Sequence, residues 1–241
     1  MSPKTQGLAV NGLAVVSGGG TGIGREIALE LARRGHDLVL LGRREEPLRQ
    51  TLEESGAGGL ALVCDVRDAS QIHRAADQVL ARWESAEVIV PAAGVAHISP
   101  LVDLSPEAFA ETVDVNLTGT ALLIRSFLPG MKERGRGWIF PILSVAARRG
   151  FPGWTAYCAS KWGLAGFVAA LREELAGTGV RITALYPGAT DTPIWDTAPG
   201  KWDRSRMVPP SEVARAVGFA LDADPSTLME EIHLGPAGGA L

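Results

Sequence analysis

Short apolar runs alternate with amphipathic helical stretches along this chain, and that alternation limits its fold more than any other feature. The hydrophobic pattern predicts strands at residues 13–16, 37–41, 60–64, 87–93, 137–144, 180–186 and 231–234. Between them it predicts helices at 24–34, 45–54, 68–83, from Ser105 through Asn116 to Lys132, at 155–177 and at 210–221. Ile27, Ala28, Leu31 and Ala32 recur at helical spacing in the first helix, and Ile72, Ala75, Ala76, Val79 and Leu80 in the third. The punctuation agrees: Gly35 follows the first helix, Ser105-Pro106-Glu107 opens the fourth and Pro210-Ser211-Glu212 the last. The strands are unbroken apolar runs rather than alternating ones. Such strands are covered on both faces, so the pattern implies an α/β fold, a parallel sheet with helices on both sides. No repeat, low-complexity tract or linker divides residues 1–241, and a single domain is expected.

Composition excludes several classes of function. The formal net charge of -4 gives no reason to expect nucleic acid or an anionic membrane as partner. The two cysteines, Cys64 and Cys158, have no CxxC partner, so neither a disulfide scaffold nor a metal site is expected. Residues 1–12 are polar and lack an apolar signal core, and no apolar run approaches the ~20 residues of a membrane span. A cytoplasmic protein is the expectation.

The first strand runs directly into Ser17-Gly18-Gly19-Gly20-Thr21-Gly22-Ile23-Gly24 and then a helix. Glycines allow close approach of backbone to a ligand, and a helix N-terminus offers free N–H groups to a phosphate. The spacing is G-x-x-x-G-x-G on Gly18, Gly22 and Gly24 rather than G-x-G-x-x-G. A phosphate loop of the G-x-x-x-x-G-K-[ST] type is rejected, because Arg25-Glu26 follows Gly24. The second strand ends Leu40-Leu41-Gly42-Arg43-Arg44. NAD-binding units carry an acidic residue about 20 residues past the glycines to bond the ribose 2′-OH. Gly42 stands there instead, and Arg43 and Arg44 offer guanidinium groups that grip a phosphate with parallel bonds. The expected cofactor is therefore NADP in preference to NAD.

Tyr157 and Lys161 are four residues apart in a helical stretch and so share one face. A free phenol titrates near ~10, too high for acid–base work at neutral pH, and a nearby cation lowers it. A fall of about 3 units needs roughly 4 kcal/mol of differential interaction.

With these pieces in order, the chain resembles the short-chain dehydrogenase/reductase family from about Gly12 to its C-terminus. The features that carry the resemblance are the glycine loop, Asp65-Val66 after the third strand and Ala93-Gly94 after the fourth. Asn116, Ser144 thirteen residues before Tyr157, the Tyr157-x-x-x-Lys161 pair, and Pro187-Gly188 followed by Thr192 complete them. The resemblance implies a single Rossmann-type doubly wound parallel sheet of about seven strands, with a substrate-covering loop at about residues 189–210. It implies hydride transfer between NADP(H) and a carbonyl or secondary alcohol, of the 3-oxoacyl or small ketone/aldehyde reductase type. Tyr157 would be the general acid or base. Lys161 would bond the nicotinamide ribose and depress the Tyr157 pKa, Ser144 would hold the carbonyl oxygen, and Asn116 would hold a kinked helix and a proton-passing water. The cofactor would lie along Gly18, Gly20, Thr21, Gly22, Ile23, Gly24, Arg43, Arg44, Asp65, Val66, Ala93 and Gly94. At its nicotinamide end it would meet Tyr157, Lys161, Pro187, Gly188, Thr190 and Thr192. Trp154, Trp195, Trp202 and Met207 would give an apolar, aromatic-tolerant substrate side, with Ser144 and Tyr157 also touching substrate; His97, Arg148 and Arg149 are further candidates.

Three departures stand out: Ser17 for the family's usual Thr, Pro91-Ala92 for Asn-Asn, and Gly235-Pro236-Ala237-Gly238-Gly239 for an Asp-Gly-Gly ending. Other readings are a hydroxy-acid or sugar-alcohol dehydrogenase, or an NADP-binding regulatory module without turnover. Relatives pair the helices on either side of the fifth strand across a two-fold axis. Ala121, Leu122, Ile124, Phe127 and Leu128, with Leu164, Phe167, Val168 and Leu171, would do so here, giving a homotetramer or homodimer.

Overall fold

The computed structural model describes residues 12–224 and 226–239. The rest of the polar N-terminal stretch read above lies outside the described residues. The strands are β1 (Leu13–Ser17), β2 (Asp37–Gly42), β3 (Gly59–Val63), β4 (Val88–Pro91), β5 (Gly137–Ile139), β6 (Val180–Ile182), β7 (Ala184–Pro187) and β8 (Glu231–Leu234). The helices are α1 (Gly22–Arg33), α2 (Glu45–Ser55), α3 (Ala69–Leu80), α4 (Pro106–Val113), α5 (Gly119–Arg134), α6 (Thr155–Leu175) and α7 (Pro210–Leu221). Six strands form one parallel sheet in the order β3-β2-β1-β4-β5-β6, and β7 pairs in parallel with β8. The chain winds outward from β1 to β3 and then crosses back to β4 on the other side of β1. That reversal is the topological switch point, where the strand ends open a crevice for a ligand.

Successive side chains on a strand point to opposite faces, and here both faces are apolar. Leu13, Val15, Val39, Leu41 and Ile89 pack on one side with residues of α3, α5 and α6. Ala14, Val16, Leu38, Leu40 and Val90 pack on the other with residues of α1 and α7. Caps mark two of the helix starts. Asp68 accepts hydrogen bonds from the N–H groups of Ser70 and Gln71 ahead of α3, and Ser105 accepts one from Ala108 with Pro106 at the first position of α4.

Three elements depart from the sequence expectation. The fifth strand, expected over 137–144, ends at Ile139. Thr183 donates to the carbonyl of Ile139 and Leu143 donates to that of Leu185, but Pro141 between them has no N–H to offer. The missing rung also divides the expected 180–186 strand into β6 and β7, so the expected seven strands become eight segments. The long helix expected through Asn116 is interrupted by a π-helical turn, Asp114–Thr118, between α4 and α5. Such turns are rare and frequently lie at functional sites.

The apolar stripe expected to pair subunits is partly used inside the subunit. Ile124, Phe127, Leu164, Val168 and Leu171 are buried in its own core, and Leu122, Leu128 and Phe167 pack against that core while partly exposed. Trp162 on α6 and Phe109 on α4 remain exposed. No helix among the described residues is long and apolar enough to cross a membrane.

Candidate active site

The glycine loop joins β1 to α1 at the switch point. Gly18 and Gly22 have φ of 69° and 56°, which side-chain-bearing residues rarely adopt. A Cβ on Gly24 would lie 2.4 Å from the Gly18 carbonyl oxygen, and one on Gly18 would lie 2.8 Å from the Ala93 nitrogen. The loop is thus folded tightly against the end of β4, and only glycine fits. Thr21 precedes α1 without capping it through its side chain, so first-turn N–H groups stay available to an anion. Ser17 takes over a local tie: its hydroxyl accepts from the Ala93 N–H at 3.2 Å. The backbone beside Pro91-Ala92 is held there too, by the Ala92 N–H donating to the Ser17 carbonyl.

Beside the loop lies a cavity of about 210 Å³ bordered by Gly20, Gly42, Arg43, Arg44, Asp65 and Val66. It adjoins a cleft of about 1430 Å³ that Thr21, Ile23, Ser144, Tyr157, Lys161 and Gly188 help to line. Arg43 is more than half exposed, with Glu111 at 3.6 Å. Arg67 binds Asp65 through its guanidinium, which holds the Asp65 carboxyl below its usual pKa, and it also reaches Glu111 at 3.1 Å. Pro187, Thr190 and Thr192 border the same cleft at its other end. Thr192 touches Gly22 closely enough that a Cβ there would lie 3.1 Å from its methyl.

The Tyr157 helix meets the end of β5 at the cleft. Ser144 ends the segment after β5, and its hydroxyl accepts from the Ala146 N–H at 3.1 Å. Tyr157 is half-buried, and burial pushes its phenol up to about 12 while the facing Ser144 hydroxyl draws it back. Lys161 is buried, and burial pushes it down to about 8. Its ammonium donates to the Ile142 carbonyl at 2.8 Å and stands 5.6 Å from the centre of the Tyr157 ring. The expected depression of the Tyr157 pKa by Lys161 is therefore not what this protein alone displays. The ammonium is drawn to a carbonyl, and loss of solvent around the phenol outweighs the lowering by the Ser144 hydroxyl.

Asn116 sits in the π-helical turn with no exposed surface. Its side-chain oxygen accepts from the Val95 N–H at 2.9 Å. Its nitrogen donates to the Val95 carbonyl at 2.9 Å and to the Ser160 hydroxyl at 3.0 Å. One amide thus ties the loop after β4 to the helix that carries Tyr157 and Lys161. Val95, Ser160 and Ile142 are positioning residues that sequence reasoning did not single out.

On the substrate side Trp154, Trp195 and Trp202 all border the cleft. Met207 is buried and does not line it. His97 lies 2.9 Å from Glu111. Arg148 pairs with Glu231 and donates to the Tyr186 hydroxyl, and Arg149 lies over the Phe151 ring.

A parallel sheet with a glycine loop at its switch point and a Ser–Tyr–Lys group across the crevice defines a Rossmann-type oxidoreductase. The family model for short chain dehydrogenases matches residues 12–201, and the chain belongs to that family. As a member it is an oxidoreductase acting on CH–OH and carbonyl groups. It is similar to a sepiapterin reductase of Chlorobaculum tepidum, 35% identical over 94% of this chain and 97% of that protein. It is 32% identical to a glycine betaine reductase of Emericella nidulans over 98% of this chain, but spans only 19% of that protein's length. Among solved structures it resembles an alcohol dehydrogenase of Thermococcus sibiricus complexed with 5-hydroxy-NADP. The TM-score is 0.86 at 30% identity, over 95% of this chain and 98% of that one. It also resembles an actinorhodin polyketide ketoreductase variant with NADPH, with a TM-score of 0.86 at 30% identity over 94% and 96% of the two chains.

Proposed function

We propose that this protein is an NADP(H)-dependent reductase of ketones or aldehydes that works through Tyr157, Ser144, Lys161 and Asn116. The observation that carries the reading is the meeting of Ser144, Tyr157 and Lys161 in one cleft with the glycine loop. The cradle suits a dinucleotide: its glycines fold the loop more tightly than any Cβ would allow, and the first turn of α1 has no side-chain cap from Thr21, so its N–H groups stay available to a phosphate. Arg43 and Arg44 with no acid at Gly42 favour a 2′-phosphate, and the solved relatives named above carry NADP-type molecules. When bound, the nicotinamide supplies the hydride.

The chain's own residues do the rest. The Ser144 hydroxyl and the Tyr157 phenol face the same space, so a carbonyl oxygen there meets two donors. Tyr157 gives its proton to that oxygen as the alcohol forms, and takes it back in the oxidative direction. A phenol that titrates near 12 is a donor at neutral pH; ionisation becomes easier once further positive charge stands beside it. Lys161, poised near 8 and 5.6 Å from the ring, is the group on hand to supply charge and to hold a ribose. Asn116 keeps the two walls in register.

The exposed Trp162 and Phe109 and the half-covered Leu122, Leu128 and Phe167 support the reading of a homotetramer built from paired helices. The single-domain extent and the cytoplasmic location expected from the sequence belong to the same reading. The test is NADPH oxidation against a panel of neutral carbonyls, with the matching alcohols and NADP run in reverse. Cofactor binding without turnover in either direction would favour a non-catalytic module and defeat the proposal.

A further inference from the structure

The substrate wall of the cleft is a continuous array of rings. Trp154 meets Tyr157 edge-on with centroids 5.4 Å apart and 72° between planes. Trp195 lies 5.7 Å beyond Trp154, and Trp202 a further 4.8 Å beyond Trp195. Phe151 flanks Trp154 at 6.4 Å. The array therefore starts at the proposed proton donor and runs outward along the covering loop.

Two features decide what this wall recognises. The first is that the indole N–H groups of its two outer rings are in use. The Trp195 indole N–H donates to the Thr190 carbonyl at 2.8 Å, and that of Trp202 to the Pro199 carbonyl at 3.1 Å. These rings offer faces and C–H edges, which suit another flat ring. The second is that the cation beside the outer rings is already neutralised. Arg204 binds Asp191 and Asp196 and also the Thr192 carbonyl, clasping the loop that carries Trp195 and Trp202. Arg148 is paired with Glu231, and His97 with Glu111. Arg149 is exposed and sits over Phe151 at the end of the array remote from Trp202. Along Trp195 and Trp202 an anionic substrate would have to break the Arg204 pairs, whereas a neutral one meets an apolar surface.

We propose that the preferred substrate is a neutral ketone or aldehyde whose carbonyl is attached to a flat aromatic or conjugated ring system, packed against Trp154 and Trp195, whose planes are inclined by 59°, with the carbonyl at Tyr157 and Ser144. The inference rests on the carbonyl-reductase reading and sharpens it. The reaction balances as in that reading: the carbonyl carbon gains the hydride, the oxygen gains the Tyr157 proton, and NADPH is oxidised to NADP.

The test compares 2-acetylnaphthalene with 2-dodecanone, a neutral aliphatic ketone with the same number of carbons, and with 4-acetylbenzoate, an anionic aryl ketone. The expected kcat/KM for acetylnaphthalene exceeds that of either comparator by roughly tenfold or more, the scale of a stacked ring pair. Trp195→Leu keeps apolar bulk but removes the ring face, and should lower the aryl-to-alkyl ratio by about tenfold. Equal or greater activity with dodecanone or acetylbenzoate, or an unchanged ratio in Trp195→Leu, overturns the proposal. Calorimetric titration of the wild-type protein in the presence of NADP by 2-acetylnaphthalene and by 2-dodecanone, combinations that cannot react, needs neither turnover nor a variant. Tighter binding of the naphthyl ketone, with no carbonyl reduced when NADPH is supplied, would defeat the catalytic reading and leave the aromatic wall standing. Weaker or equal binding would defeat the wall.

Discussion

Replacing Asn116 by alanine removes one side chain and three hydrogen bonds, and the cost follows from the geometry. The amide has no exposed surface, and its partners are the Val95 N–H, the Val95 carbonyl and the Ser160 hydroxyl, all within 3.0 Å. Each such bond contributes about 1 kcal/mol net, and a donor or acceptor left unmatched away from water costs about 1–3 kcal/mol. Val95 is only half-buried and regains some solvent, so the sum is about 3 kcal/mol rather than the upper figure. In a protein of this size that lowers the melting temperature by roughly 6–12 °C. Urea denaturation of wild type and variant without cofactor measures it directly. Asn116→Asp gives the sign check. It still accepts from the Val95 N–H but places a carboxylate against the Val95 carbonyl, so its carboxyl pKa rises on folding. Its deficit should grow as pH rises through about 4 and shrink below that, where the protonated acid donates one bond. A loss below about 1 kcal/mol for Asn116→Ala, or an aspartate variant with no such pH dependence, would refute the claim that this amide ties the two walls together.

Four further outcomes are expected. Tyr157→Phe should lower kcat by at least about a hundredfold while NADPH affinity, read by fluorescence titration, changes little; retention of more than a tenth of the rate would remove Tyr157 from its role. Lys161, held near 8 against an ordinary value of 10.5, binds a proton less readily folded than unfolded. Its burial therefore costs stability below pH 8 that is recovered as pH rises to 10.5, up to about 3 kcal/mol, and wild type should gain that much over Lys161→Met across the window. The Gly42→Asp, Arg43→Ala double variant should lose roughly ten- to a hundredfold in NADPH affinity and improve with NADH, since it adds a repulsive carboxylate and removes a guanidinium. A Cβ at residue 42 would lie 3.3 Å from a Leu48 methyl, so a small stability loss should accompany it; a wild type that already prefers NADH would contradict the assignment. Light scattering at micromolar concentration should report a tetramer, and a stable monomer would show that the core has absorbed the apolar stripe.

What was legible in the sequence was local or periodic. Unbroken apolar runs such as Leu38 to Leu41 announce a strand covered on both faces, and the bounds of β8 and α7 agree with their turn residues alone. The glycine loop and the Tyr157–Lys161 spacing carry their chemistry in the order of residues, because a helix or a tight turn converts that order into geometry without help from the rest of the chain. Tertiary structure decided what depends on partners distant in the chain. Pro141 cuts β5 only because the rung it lacks belongs to a neighbouring strand. The π-helical turn forms where Asn116 must reach Val95 and Ser160 at once. The direction of the Lys161 ammonium and the meeting of Trp154 with Trp195 likewise arise from residues in different elements. Burial raises the Tyr157 pKa that helical spacing alone led one to expect lowered, since desolvation is a property of the packed molecule and not of any segment of it.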